Sequence, residues 1–329
     1  MSNPVLSVLI CTHNPRRDYL ARVIEGLRRQ TLAREHWELL IIDNASRLPV
    51  ENDIDLAWHS SARIVVEPRL GIGFARTHGM SEAAGELHLH VDDDNVLKDD
   101  YLESVVALAK EWPKLGAFGA GTITPEYERQ PGASVEPYLP LLTLWEHERE
   151  RWSNSTDDDD SVPAGAGMCV RRDVARYYCS QFSRDPLIQC FGRKGKEFAA
   201  VAGDIAGEDT LIAWAGRDLG YGWGTFPQLA VTHLIPAARL EQDYMLKLAE
   251  RYAKGGLMLH YAVSGRLTQS YGSVLSIAKR LYHNVRLLAC GRNFDRRIYE
   301  ARIRGVIAGQ KALREVAVPG KRQRAGSGG

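Results

Sequence analysis

The chain has 329 residues, 44% apolar and 25% charged, with a net charge of +1. That is the composition of an ordinary globular protein with room for one large α/β domain plus an appendage, or for two domains, and its overall charge points to neither nucleic acid nor an acidic substrate. The five cysteines, Cys11, Cys169, Cys179, Cys190 and Cys290, are odd in number and lack C-x-x-C spacing, which argues against a disulfide frame or a zinc site and fits a reducing cytoplasm. The N-terminus lacks the basic region of a signal peptide, and no apolar run reaches the ~18 residues needed to span a bilayer, so any membrane contact is expected to be peripheral, at the inner face.

In chain order, residues 5–11 (VLSVLIC) read as a buried parallel-type strand closed by Thr12-His13-Asn14-Pro15. Residues 16–30 place Leu20, Val23, Ile24 and Leu27 at helical spacing. Residues 37–43 (WELLIID) are a second buried strand with the turn Asn44-Ala45-Ser46, residues 63–67 a third, and residues 73–84 a helix. Residues 86–95 (ELHLHVDDDN) then alternate Leu87, Leu89 and Val91 with His88 and His90, the period of a strand with two unlike faces that delivers three aspartates at its carboxyl end. Adjacent carboxylates repel. In an open α/β sheet the carboxyl ends of the strands are where ligands bind, and a divalent cation is a common reason to gather carboxylates there; a solvated acidic turn is the alternative.

Asp43 ends its strand at the same edge. It fits either a contact to a base or ribose, or a turn-capping aspartate. The loop Arg69-Leu70-Gly71-Ile72-Gly73-Phe74-Ala75-Arg76 is a plausible phosphate neighbour, but Arg76 stands where a dinucleotide fingerprint needs its third glycine, which disfavours a Rossmann dehydrogenase.

Residues 100–112 form a predicted helix and 116–124 a glycine-rich strand. Residues 125–160 are irregular and end in four aspartates, 157–160, read as a solvated loop because no strand precedes them. Residues 163–172 (PAGAGMCVRR) are small and turn into a strand; their glycines serve packing or leave room for a ligand. Residues 204–219 read as a helix with Glu208 and Asp209 in its first turn, where the helix dipole stabilises anions whether or not they do chemistry. Residues 220–233 are a last aromatic strand ending at His233, a histidine that suits a structural role or a ligand role.

Residues 240–261, 274–288 and 296–316 are helical patterns, broken by Gly291 and Gly305. From Tyr271 onward thirteen basic residues face three acidic ones, and the rest of the chain is correspondingly acidic. The asymmetry suits an anionic membrane surface, while packing on the catalytic domain or a second subunit is the plainer use of the same helices.

Taken together, VLICTHN, IIDNAS, GIGFARTHG, HVDDDN, GAGMCVRR, GEDT and THLIP, in this order over roughly residues 5–240, resemble the family 2 glycosyltransferases. The resemblance implies a GT-A fold: a doubly wound, Rossmann-like mixed sheet flanked by helices, here with a helical C-terminal appendage. The expected division is a GT-A domain at 1–236 (nucleotide-binding half 1–112, acceptor half 113–236), a helical region at 237–318 and a disordered tail at 319–329. Thr12, Asn14 and Asp43 match the family's contacts to the nucleotide. Arg76 matches the arginine of its Ala-Arg-Asn motif, with Thr77 where asparagine is usual. Asp92 and Asp94 match the Asp-x-Asp pair, one toward the ribose and one on Mn²⁺ or Mg²⁺, with Asp93 between them among the donor contacts. Gly165, Gly167 and Met168 resemble the segment lining sugar and acceptor. Asp209 resembles the general base with Glu208 beside it, and His233 sits where relatives place a third metal ligand.

The implied reaction is metal-dependent, inverting transfer of a hexosyl or similar unit from a nucleoside-diphosphate sugar to a hydroxyl of a glycan or lipid-linked acceptor, with no role for nucleic acid. A nucleotidyltransferase acting on sugar phosphates is one alternative, though no glycine- and lysine-rich loop stands near the N-terminus to hold a triphosphate. A non-catalytic glycan-binding relative is the other.

Overall fold

Three apolar runs, β1 (Leu6–Thr12), β2 (Trp37–Asp43) and β4 (Leu87–Asp92), sit at the heart of the sheet in a computed structural model of the chain. The structure describes residues 4–52, 54–157, 160–192, 205–265, 281, 282, 285, 288 and 293–324, the residues from 317 by backbone alone. Around the three runs lie β3 (Ala62–Val66), β5 (Asn95–Leu97), β6 (Leu115–Tyr127), β7 (Trp145–Glu146), β8 (Arg151–Ser153), β9 (Met168–Arg171) and β10 (Gly222–Ile235). The strand order is β3-β2-β1-β4-β9-β6-β10-β5, with β7 on β6 and β8 on β10. β1, β2, β3 and β4 pair in parallel, β9 runs antiparallel to β4 and β6, and β10 is parallel to β6. This is the mixed, helix-flanked α/β sheet that the sequence predicts.

Every residue of β1 and β2 is buried, which is why they read as unbroken apolar runs: helices cover both faces. On one face Leu20, Val23, Ile24 and Leu27 of α1 (Arg17–Arg28) and Leu102, Val105 and Leu108 of α3 (Tyr101–Glu111) join Val8, Ile10, Leu39, Leu89 and Val91 in one core. Each such side chain contributes about 1.5–3 kcal/mol by leaving water. On the other face α2 (Ile72–Glu82) comes close enough to β1 and β2 that a Cβ at Gly79 would press on Ile42. The helix α4 (Arg172–Arg184) covers β4 there and packs on α2 through Phe74 and Phe182, 5.4 Å apart.

β4 departs from the simple alternation. His88 and His90 share the covered face and are buried, not solvated. Burial pushes the His88 imidazole down to about 4 and that of His90 well below its usual value, so both are neutral. The helix α4 had no counterpart in the sequence reading, although Val174, Ala175, Tyr178 and Phe182 bury one of its faces. The segment 125–160 is less irregular than expected, since it carries β7 and β8. The helix read at 204–219 is a shorter α6 (Glu208–Ala215) followed by a 3₁₀ turn, Gly216–Leu219.

The chain divides into two compact units. The first, Met1–Glu128, Thr143–Arg184 and Glu208–Ile235, holds the whole sheet. The second, Arg129–Leu142, Asp185–Gly207 and Pro236–Gly329, is built in its described part from α5 (Pro186–Gln189), α7 (Gln242–Ser264) and α8 (Asn293–Arg324). α7 and α8 run in the same direction, because Arg297 bonds Asp243 and Arg304 bonds Glu250, each at 3.0–3.1 Å. Gly305 does not interrupt α8: it lets the two helices touch, since a Cβ there would strike the Glu250 carbonyl. α8 continues to Arg324; residues 325–329 of the tail and most of the predicted helix 274–288 lie outside the described residues. No described helix is long and apolar enough to cross a membrane. Cys11, Cys169, Cys179 and Cys190 are free thiols, and Cys290 lies outside the described residues.

Candidate active site

Parallel register brings the sequence candidates to one sheet edge. Thr12 is aligned with Asp43, and Cys11 with Asp92, so β1, β2 and β4 end side by side. Behind β2, Asp43 accepts the N–H groups of Ser46 at 3.0 Å and Val50 at 3.2 Å, and thereby shapes its own turn. Asn14, at φ 49°, donates its N–H to Ser46 Oγ and accepts from the Arg47 N–H, both at 2.9 Å, which ties the first loop to the second. Asn44 does more than the sequence suggested. Its amide donates to the Glu67 and Arg69 carbonyls and accepts from the Gly71 N–H at 2.8 Å, pinning the entry to α2.

The three aspartates part company. Asp92 pairs with Arg76 at 3.2 Å, Asp93 accepts from the Thr12 hydroxyl, and Asp94 accepts from Asn95 at 2.6 Å. Asp94 also faces His233, with Nε2 and Oδ2 3.7 Å apart. The β10–β5 register sets His233 opposite Asn95, and the Leu234 N–H donates to the Asp94 carbonyl, so this closeness is built into the sheet.

Arg76 is buried and forms the centre of the site. Its guanidinium bridges Asp92 and Glu208, 132 residues away, and so ties β4 to α6. Burial pushes the Glu208 carboxyl up to about 7 against the pull of Arg76, whose own pKa its carboxylate neighbours raise although burial opposes them. Thr77 faces inward along its helix and donates to the Gly73 carbonyl at 2.7 Å. Asp209, next to Glu208, is half-buried and differently engaged: Oδ2 accepts the Gly165 N–H at 3.1 Å and Oδ1 that of Thr210 at 2.9 Å.

The glycines of residues 165–167 make room for protein rather than leaving a void. A Cβ at Gly165 would collide with the Arg76 guanidinium; Gly167, at φ +78°, accepts the Tyr101 hydroxyl on its carbonyl at 2.6 Å and would strike that ring with any side chain. Met168 pairs with His90 in register and is fully buried, so it offers no surface to an acceptor. Sequence reasoning missed Tyr101 and the inward role of Arg76. Only the apolar context of Tyr101 at the start of α3 hinted at its burial.

Among the described residues no group of three or more His, Cys, Asp or Glu side chains could hold a metal by itself. The Asp94–His233 pair fits a different kind of site: one carboxylate and one imidazole for a cation that takes its other ligands from a diphosphate and water.

The family model of glycosyl transferase family 2 matches residues 7–178, which hold β1 through most of α4. EpsH of Bacillus subtilis strain 168, named as a glycosyltransferase, is 25% identical over 114 residues, 33% of this chain and 31% of that protein. The glucosyl-dolichyl phosphate glucuronosyltransferase of Haloferax volcanii is 25% identical over 178 residues, 51% of this chain and 53% of its own length. The chain thus spans between a third and a half of the curated relatives it matches. Among solved structures, the mannosyltransferase PcManGT from Pyrobaculum calidifontis, in complex with GDP-Man and Mn²⁺, aligns with a TM-score of 0.57 at 14% identity, over 94% of this chain and 88% of that one; the likeness is one of GT-A fold. On the family match, the chain belongs to glycosyl transferase family 2.

Proposed function

We propose that the enzyme moves a sugar, with inversion, from a nucleoside-diphosphate sugar to a hydroxyl of a glycan or lipid-linked acceptor, using a divalent cation and Asp209 as general base. The observation that carries this reading is the unequal state of two adjacent carboxylates. Glu208 is buried and locked to Arg76, whereas Asp209 is half-exposed and, among the described residues, held by backbone N–H groups alone. A base must reach a substrate proton, and a carboxylate enclosed in an ion pair cannot. Glu208 and Arg76 therefore position the helix that carries Asp209.

The donor side follows the same edge. Thr12, Asn14 and Asp43 would flank the nucleotide, with Asp92 and Asp93 toward ribose and diphosphate. Asp94 and His233 would hold Mn²⁺ or Mg²⁺, which when bound neutralises charge on the departing diphosphate. The complex of the Pyrobaculum mannosyltransferase with GDP-Man and Mn²⁺ supports a donor of this class. Gly165, whose N–H orients Asp209, stands where the acceptor would approach. The basic C-terminal helices would serve as a peripheral contact to an anionic membrane carrying a lipid-linked acceptor; support comes from Leu281, Tyr282, Val285 and Leu288, which are helical and exposed.

Thermal unfolding with a panel of nucleotide sugars tests the reading, because a ligand of the native state alone raises stability by RT ln(1 + [L]/Kd). One nucleotide sugar is expected to raise Tm only with Mn²⁺ or Mg²⁺, and Asp209→Asn to keep that rise while transfer falls by roughly 10²–10⁴-fold. A rise that chelator does not reduce removes the cation, and an active Asp209→Asn enzyme removes the base.

A further inference from the structure

Strand β10 has two functional ends. His233 lies near its carboxyl end at the catalytic edge, while β8 lies along its first residues, with Trp152 opposite Gly224. Because β10 bulges between Phe226 and Ala230, the stretch from Gly224 to His233 spans the same distance as Phe118 to Pro125 of β6, seven strand steps or roughly 23 Å. At the far end a cavity of about 650 Å³ is lined by Arg149, Glu150, Arg151, Trp152, Asp160 and Ser161. Its volume is that of a small-ligand pocket.

Three independent features point to an occupant. Trp152 is 57% exposed, yet its ring does not hang free: it leans on Trp112 at 6.3 Å, which in turn meets Phe226 edge-on at 5.5 Å. More than half of the Trp152 surface is thus open, while its ring, tilted 51° to that of Trp112, rests against an aromatic cluster. Ser161 is only 1% exposed, and its hydroxyl has no hydrogen-bond partner among the described residues, an arrangement that costs stability unless something else satisfies it. The remaining lining supplies two guanidinium groups and two carboxylates, whose charges cancel.

We infer that this cavity is a second, non-catalytic binding site for a neutral oligosaccharide, holding the acceptor chain away from the reacting hydroxyl. A sugar ring has an apolar C–H face that can lie on an indole and a rim of hydroxyls that both donate and accept, so it matches an open tryptophan ringed by Arg, carboxylate and Ser groups. An anionic ligand fits worse, because Glu150 and Asp160 offset both arginines. The inference rests on the acceptor being a glycan, but not on Asp209 or the cation.

Calorimetric titration of the full-length enzyme with maltohexaose, cellohexaose, chitohexaose and mannohexaose tests it. At least one is expected to bind with quenching of tryptophan fluorescence and with an affinity that does not change between low and high salt, as a neutral ligand requires. Trp152→Ala should weaken that binding about tenfold or more, and Trp152→Phe by less, while both variants keep the parent's Tm and its cation-dependent response to nucleotide sugar. Binding that survives Trp152→Ala, or no binding by any of the four, overturns the second site. Either result leaves the catalytic reading intact, because donor response and transfer are read separately.

Discussion

Two runs of consecutive aspartates, 92–94 and 157–160, have nearly the same chemistry in sequence and opposite fates in the fold. In the first, each carboxylate is taken up by a different element: Asp92 by Arg76 on α2, Asp93 by Thr12 on β1, and Asp94 by Asn95 and by the neighbourhood of His233 on β10. In the second, Asp157 is exposed and its N–H donates to the nearby Ser155 hydroxyl at 3.3 Å. Adjacent like charges are tolerable in a folded interior when a strand ends among other strand ends, since each side chain then meets a separate partner. Asp157, exposed on a polar turn, meets water instead.

The largest expected contrast between the runs is in turnover. Asp94→Asn should lower kcat/KM by roughly 10³-fold, since cation stabilisation of the leaving group is worth several kcal/mol. Steady-state transfer with the identified donor measures it. Near-parental activity would mean that the first run is as ornamental as the second.

Next in size is the loss of the buried guanidinium. Arg76→Met leaves Glu208 and Asp92 without their shared cation and should destabilise the protein by roughly 3–5 kcal/mol in urea unfolding. Glu208→Gln should behave differently, with a dependence on pH. The folded Glu208 carboxyl lies near 7 against 4.5 for an ordinary glutamate, so its stabilising contribution is complete below about 4.5 and is lost as pH rises through about 7. The variant cannot titrate there, and its stability relative to the parent should rise by about 3 kcal/mol across that window. A difference that stays constant with pH would show that Glu208 is ionised throughout. At the small end, Asp157→Asn should change stability by no more than about 0.5 kcal/mol and leave transfer untouched; a larger effect would erase the distinction between the two runs.

What could be read from sequence follows how local each cause is. β1 and β2 were legible because burial on both faces writes itself as a run of apolar residues, β4 because Leu87, Leu89 and Val91 alternate along it, and the order of short motifs carried the family. α4 was not legible: its buried Val174, Ala175, Tyr178 and Phe182 are diluted by arginines and serines on the other face. The candidate residues that gather at the sheet edge were legible one by one, but their pairings were not. That Arg76 would turn inward to Glu208, 132 residues on, and that Gly165 would be small for the sake of that guanidinium, are facts of three-dimensional closeness with no local signature. Asp209 and Glu208 stand one residue apart in a helical first turn, and only their different burial and partners tell them apart.

The two neutral histidines buried in β4 work against the same acid that Glu208 welcomes. The His88 pKa near 4 in the folded protein, against 6.5 when exposed, means that unfolding takes up a proton at mildly acid pH, so its stabilising effect is lost as pH falls through that interval, and His90, lowered further, acts in the same direction. Glu208 releases a proton on unfolding over much of the same interval. The histidines tilt stability down toward acid and Glu208 tilts it up, so each side offsets part of the other's pull as the surroundings change pH.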